Sequence, residues 1–394
     1  MTVARTRPTA SRRARAALAV GSTLAMLLCC ECGARLWLGC LASPGQVARY
    51  GSADQSERRA RRYSRHHYLP FIPTPGWSRG KNRHNSLGYR GEEVAVPKPR
   101  GVFRIAVLGG STIYTVEVDD YRESFPYQLQ QELRRNRPAI EVVNAGCPMY
   151  SSWESLMNLE LRVLDLQPDL VMVYHGINDV HARLVYPGSA YVGDNSGSRR
   201  PYDPPEESLW DRSALLRIAR TDLGFRAHET GQLYFRTFHG VPTNHAEDFR
   251  QQVLEGTYPS GVFEQRTAQE MLHSNVPTYF ARNLRNMVAI SRMNHAEAVL
   301  LTFAWSPHFQ DPRVSSAEYQ SAYEEQNALV LDICREHEVP CYDLSREMPR
   351  DPGLWTDGRH VNARGAAVKA RLVARFLESS KLLPEVGEGD PLPK

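Results

Sequence analysis

Phe103-Arg104-Ile105-Ala106-Val107-Leu108-Gly109-Gly110-Ser111-Thr112 decides the fold: a short apolar run with strand-forming residues ends abruptly in two glycines and two hydroxyl residues. Two later runs end the same way. Ile140 to Val143 leads into Asn144-Ala145-Gly146, and Leu170 to Tyr174 leads into His175-Gly176-Ile177-Asn178-Asp179. Helical patterns lie between them. Ser151 and Glu154 form a capping-box signature ahead of Leu156, Leu159, Val163 and Leu166, which share one helical face until Pro168. Strands alternating with helices predict a three-layer α/β/α domain around a parallel sheet, with ligands bound beyond the carboxyl ends of the strands.

Further along, the alternation continues. A helix is expected from Pro277 to Met293, a strand from Ala298 to Phe303, a helix from Ala317 to His337 and a strand ending near Leu344. Asn362 is the expected cap of a last helix that turns Val368, Leu372, Val373 and Phe376 inward.

The rim of this sheet collects chemistry. A serine hydroxyl is a weak nucleophile until a base lies within hydrogen-bond reach and a third group orients that base. Ser111, His360 and Asp357 are of the right types, with Asp357 and His360 close together in the loop before the last helix. This set implies attack on an ester, by hydrolysis or by transfer. Gly146 allows close backbone approach to a developing oxyanion, and Asn178 offers an amide donor that does not titrate.

Four blocks, in order, resemble the SGNH or GDSL-type hydrolases: Leu108-Gly109-Gly110-Ser111-Thr112, Asn144-Ala145-Gly146, Gly176-Ile177-Asn178-Asp179 and Asp357-Gly358-Arg359-His360. The resemblance runs from about Asn85 to Leu377 and implies the flavodoxin-like fold of that family. It implies that Ser111 attacks, that His360 is the base and Asp357 its partner, and that the oxyanion hole consists of the N–H groups of Ser111 and Gly146 with the Asn178 amide. One departure is Gly110, where the namesake block has Asp. Asn85-Ser86-Leu87-Gly88-Tyr89-Arg90-Gly91 and Asn283-Leu284 are similar to a large bacterial subgroup whose members often carry an amino-terminal membrane segment.

Other chemistries find no support. The residues around Ser111 lack the last glycine of a G-x-S-x-G elbow. No phosphate loop or dinucleotide fingerprint follows the first strand, and the 13 histidines include no H-E-x-x-H pair. His337-Glu338-Val339-Pro340-Cys341 runs into a helix-breaking proline. No cofactor and no metal are expected. His175 and His181 flank the Asn178 block as pocket or structural residues, and Asp179 is expected to tie down its loop.

The chain has 394 residues, 42% hydrophobic content and a net charge of +4, ample for one large core and too mild for a nucleic-acid-binding face. Arg5, Arg7, Arg12, Arg13 and Arg15 precede an uncharged run from Ala16 to Cys30. Extending it to Leu41 reaches spanning length by including Glu31 and Arg35, four apart and able to pair. Two readings stay open: a signal anchor with an extracytoplasmic catalytic domain, and a signal peptide cut after Ala42. Arg58, Arg59, Arg61, Arg62 and Arg65 on the far side act against that orientation or touch lipid headgroups.

The expected division is a membrane segment over 1–42, a basic proline-containing linker over 43–84, the hydrolase-like domain over 85–383 and a tail over 384–394. An irregular insertion from about 181 to 274 emerges at the rim. There Tyr186, Tyr191, Tyr202, Trp210 and Tyr234 would cover a substrate or pack the insertion down. Cys334 and Cys341 are a candidate disulfide that would leave Cys147 beside Gly146 outside it. The sequence supports an esterase acting on an ester-bearing carbohydrate or lipid. An O-acyltransferase of envelope polysaccharide and a noncatalytic carbohydrate-binding homologue are the alternatives.

Overall fold

Strand β1 (Phe103–Gly109) is buried from Arg104 onward, because a parallel strand covered by helices on both faces has no solvent side. β2 (Ile140–Asn144), β3 (Leu170–Tyr174), β4 (Glu297–Leu301) and β5 (Cys341–Tyr342) join it in one sheet, ordered β2-β1-β3-β4-β5. Every pairing is parallel. The order matches the flavodoxin-like pattern, whose direction of winding reverses at β1 and β3 and leaves a crevice there. The computed structural model describes residues 11–52, 62–64, 66–194, 208–225 and 244–385.

Alternation along β1 divides the core. Ile105 and Val107 join a cluster with Phe125, Leu129 and Leu133 of α1 (Phe125–Arg134) and with Val373 and Leu377 of α6 (Ala363–Ser379). Ala106 and Leu108 face the opposite cluster, with Leu159 and Val163 just after α2 (Ser152–Asn158) and with Leu284 and Met287 of α4 (Thr278–Met293). α5 (Ala317–Glu336) contributes Tyr319 and Tyr323 to the first cluster and Val330 and Ile333 to the second. These are the three layers.

The predicted caps are in place. Ser151 and Glu154 make the capping box of α2, and Asn362 accepts from Gly365 N to start α6. The inward face of α6 differs from expectation: Val373 is buried, whereas Val368, Leu372 and Phe376 are only partly so. Ala366, Lys369 and Ala370 are buried instead; the alanines are small, and the Lys369 ammonium lies over the Phe125 and Tyr174 rings at 4.5 and 3.5 Å.

The chain divides into two compact units, Met1–Tyr63 with Asp203–Tyr234, and Ser64–Tyr202 with Phe235–Lys394. The expected 43–84 linker is therefore not uniform. Leu69, Phe71, Ile72, Asn82 and His84 are buried in the second unit, and Tyr150 donates its hydroxyl to the Phe71 carbonyl. The 181–274 insertion is likewise shared between units. Of its aromatics, Tyr186 packs partly buried against the core and Tyr191 meets the Tyr279 ring at 5.0 Å. Tyr202 and Tyr234 lie outside the described residues, as do Arg5, Arg7, Arg58, Arg59, Arg61 and Arg65. Cys334 on α5 and Cys341 on β5 form a disulfide, with Cα atoms 5.9 Å apart.

Among the described residues, one helix with its continuation, Arg12–Leu41 in the first unit, is long and apolar enough to cross a membrane, and its most apolar window has no buried residue. Glu31 and Arg35 pair at 2.6 Å, as their spacing predicts.

Candidate active site

Ser111 opens a single helical turn, Ser111–Tyr114, at the carboxyl end of β1. Thr115 ends the turn in the left-handed region at φ 60. The buried Arg90 guanidinium closes it by donating to the carbonyls of Tyr114 (2.5 Å), Thr115 (2.6 Å) and Val118 (2.6 Å). His84 Nε2 is 2.7 Å from the Tyr114 hydroxyl. Arg90 of the Asn85–Gly91 block and His84 just before it thus hold the nucleophile turn in place.

The other half is local. Asp357 Oδ1 accepts the backbone N–H groups of Arg359 (2.9 Å) and His360 (2.8 Å), an Asx turn that sets the imidazole over its own carboxylate. Gly358 sits at φ +82, and a Cβ there would lie 2.5 Å from the Ser306 carbonyl, so the turn needs glycine. His360 Nδ1 is 2.9 Å from Asp357 Oδ2, and its Nε2 is 2.7 Å from Ser111 Oγ. Burial pushes the Asp357 carboxyl up, but the His360 hydrogen bond, the charges of His360 and Arg359 and the His360 backbone N–H outweigh it. Together they hold the group well below the usual carboxylate range.

Asn178, in the first turn of α3 (Ile177–Arg183), donates through Nδ2 to the Tyr150 carbonyl at 2.8 Å. A Cβ on Gly110 would lie 2.8 Å from that same nitrogen. The glycine before Ser111 therefore makes room for the Asn178 amide. Gly146 packs bare against the Ser111 turn, where a Cβ would come within 2.5 Å of Tyr114 N. Its N–H donates to Asn144 Oδ1 at 3.2 Å, so an oxyanion would compete with that side chain. All five residues expected at the site gather around one turn.

Sequence reasoning missed Glu117. Its Oε1 lies 3.9 Å from His360 Nδ1, on the loop that Arg90 holds, and an acid shortly after Ser111 was the only signal. Among the described residues, Glu117, Asp357 and His360 offer ligand atoms within 4.8 Å of one another. A cation there would displace the His360 to Asp357 hydrogen bond.

The flanking histidines are placed away from proton transfer. His175 is buried with Nδ1 3.6 Å from Asp179 Oδ2, and burial pushes it down to about 3. His181 meets the Tyr319 ring edge-on, and burial with the charges of Arg359 and Arg313 pushes it down to about 3. Asp179 accepts from Ser152 N at 3.0 Å and Ser152 Oγ at 2.6 Å, tying the first turn of α3, rather than a loop, to the start of α2.

The model of the GDSL-like lipase/acylhydrolase family matches residues 107–368. The chain belongs to that family and is an ester-cleaving hydrolase. Among solved structures it is similar to a lipase/acylhydrolase from Enterococcus faecalis, at 14% identity over 71% of this chain and 97% of that one, TM-score 0.40. It is also similar to an acetylxylan esterase from Geobacillus stearothermophilus, solved as a catalytic mutant, at 14% identity over 70% and 94%, TM-score 0.38. A third is a GDSL-like lipase from Bacteroides thetaiotaomicron, at 13% identity over 70% and 88%, TM-score 0.35. No curated protein matches the sequence. Membership rests on the 107–368 match.

Proposed function

We propose that this chain is a serine esterase that works through an acyl-enzyme on Ser111, with His360 as base and Asp357 as its orienting partner. The observation that carries this reading is the unbroken relay of Ser111 Oγ, His360 Nε2 and Nδ1, and Asp357 Oδ2 at 2.7 and 2.9 Å. With Asp357 ionised, Nδ1 keeps its proton and Nε2 is left as the acceptor.

As Ser111 Oγ attacks the ester carbonyl, its proton passes to Nε2. The oxyanion that forms is met by the Ser111 N–H, the Gly146 N–H and the Asn178 amide, each worth ~2.7–4 kcal/mol when prepositioned. His360 then returns the proton to the leaving alcohol, and a water repeats the sequence to release the acid. We further propose that Arg12–Leu41 anchors the chain in a membrane and that the hydrolase unit acts outside the cytoplasm on an ester-bearing carbohydrate or lipid. The Cys334–Cys341 disulfide supports that location, since such bonds persist in oxidising compartments.

Labelling with a fluorophosphonate, mapped by mass spectrometry, tests the mechanism. The expected result is modification of Ser111 that disappears in His360→Ala. Folded protein that takes no label would overturn it.

A further inference from the structure

Helix Ala214–Asp222 of the first unit buries Ala214, Arg217 and Thr221 and half-buries Leu215 and Ile218, while Leu216 and, just past its end, Leu223 are exposed. Arg217 donates to the carbonyls of Tyr50 (3.2 Å) and Asp211 (2.6 Å), and Thr221 donates to the Arg217 carbonyl at 2.7 Å. At the two ends Leu209, Trp210 and Phe225 are 75%, 67% and 72% exposed. Five large apolar residues exposed within one short segment, Leu209, Trp210, Leu216, Leu223 and Phe225, beside a buried arginine and threonine, are not what water selects.

What the helix is fastened to identifies the solvent it suits. Glu31, the one acid in Arg12–Leu41, accepts from Ser213 Oγ (2.7 Å), Ala214 N (3.0 Å) and Leu215 N (2.9 Å). A carboxylate at the amino end of a helix complements its dipole, so the charge inside the apolar segment serves as a clasp. Leu24, Leu27, Leu28 and Leu36 of that segment are exposed in the same unit as Leu216 and Leu223.

We propose that residues 209–225 form a second membrane contact, lying in the boundary between headgroups and acyl chains beside the anchoring helix. A bilayer fits better than a protein partner because this apolar surface is clasped to a segment of spanning length and carries a tryptophan, as interfacial elements do. The inference rests on the anchoring reading.

The test uses the full chain in vesicles of phosphatidylcholine and phosphatidylglycerol carrying acyl-brominated lipid. Bromine quenches the emission component that Trp210→Phe removes, and aqueous iodide does not. Quenching of that component by iodide alone overturns the inference. In parallel, an impermeant maleimide reacts with Leu223→Cys slowly in vesicles and rapidly in detergent, and equal rates at that position count against it. Release of the whole chain by an alkaline wash is a different result, the failure of the anchor itself.

We also infer, from the independent geometry of the 115–118 loop, that Glu117 is a positioning residue for His360. Asp357 Oδ2 is shared between His360 Nδ1 and Arg359 Nη2, which approaches to 2.6 Å. The guanidinium thus draws on the charge an imidazolium would face, and Asp311, 3.8 Å from Arg359, offsets it only in part. Glu117 supplies a second carboxylate on the Nδ1 side, and Arg90 fixes its loop. This rests on the proposed serine mechanism.

With a chromogenic acetate ester, Glu117→Gln lowers kcat about three- to tenfold with KM unchanged, a loss limited by the solvent near Glu117. The protonated ring then loses one carboxylate while Asp357, Arg359 and Asp311 remain, so the acid limb of kcat/KM moves to lower pH. Glu117→Asp restores part of the rate, and Glu117→Gln costs more in an Asp357→Asn background than in the native one. Unchanged kcat and an unmoved acid limb in both backgrounds overturn the inference. Native protein that resists fluorophosphonate at Ser111 instead overturns the mechanism beneath it.

Discussion

Ser111–His360–Asp357 and Ser152–Asp179–His175 contain the same three residue types, and they differ in which one stands in the middle. In the first trio the imidazole bridges hydroxyl and carboxylate at 2.7 and 2.9 Å. In the second the carboxylate does, accepting Ser152 Oγ at 2.6 Å with His175 Nδ1 3.6 Å away. A serine hydrogen-bonded to a base has a destination for its proton, whereas a serine that donates to a buried acid is simply holding structure. Burial widens the gap. Hydrogen bonds and neighbouring charge hold Asp357 well below the carboxylate range despite desolvation. Desolvation pushes Asp179 up to about 7 and His175 down to about 3, favouring the neutral forms of both.

The contrast can be broken by exchanging its serines. Ser111→Ala is expected to abolish ester turnover and leave the melting temperature unchanged. Activity surviving in that variant would erase the distinction. Asn178→Ala should lose about two orders of magnitude in kcat, the loss expected for one oxyanion donor, and full activity would remove Asn178 from the site. Ser152→Ala should keep turnover but cost ~1–3 kcal/mol in denaturant unfolding. It leaves Asn283 Nδ2 and Asp179 without a shared partner. Loss of turnover in a folded Ser152→Ala protein would make the second trio part of the chemistry.

The smallest effect sharpens the electrostatic half. Asp179 has a folded value of about 7 against an ordinary 3.8, so the fold binds this proton more tightly than the unfolded chain does. Its contribution to stability is complete below the unfolded value and is lost as pH rises through about 7. Melting curves of Asp179→Asn should therefore decline less across that window than the native curves. Glu154, pushed up to about 7 by burial, keeps its own share of the slope in both proteins. Identical slopes would mean that Asp179 is ionised in the fold.

The first trio was legible because its parts stand where chain geometry repeats: at the end of a buried strand, and in a four-residue turn in which Asp357 accepts only local hydrogen bonds. Caps and helix spans were legible for the same reason, since Ser151, Glu154 and Asn362 act within one turn. The 43–84 segment reads as linker because Leu69, Phe71 and Ile72 are too few to show a period, and its bonds from Phe71 to Tyr150 and from His84 to Tyr114 are made far along the chain. Glu117 was invisible for a related reason. Its significance lies in a distance to a residue more than two hundred positions away.

The missing side chain at position 110 ties together two sites that evolution or an engineer would otherwise treat separately. Installing the namesake aspartate ahead of Ser111 drives its Cβ into the Asn178 amide and the Tyr150 carbonyl. The Asn178 side chain has to swing aside to admit it, so a residue added at position 110 is felt at the amide donor before it is felt at the nucleophile.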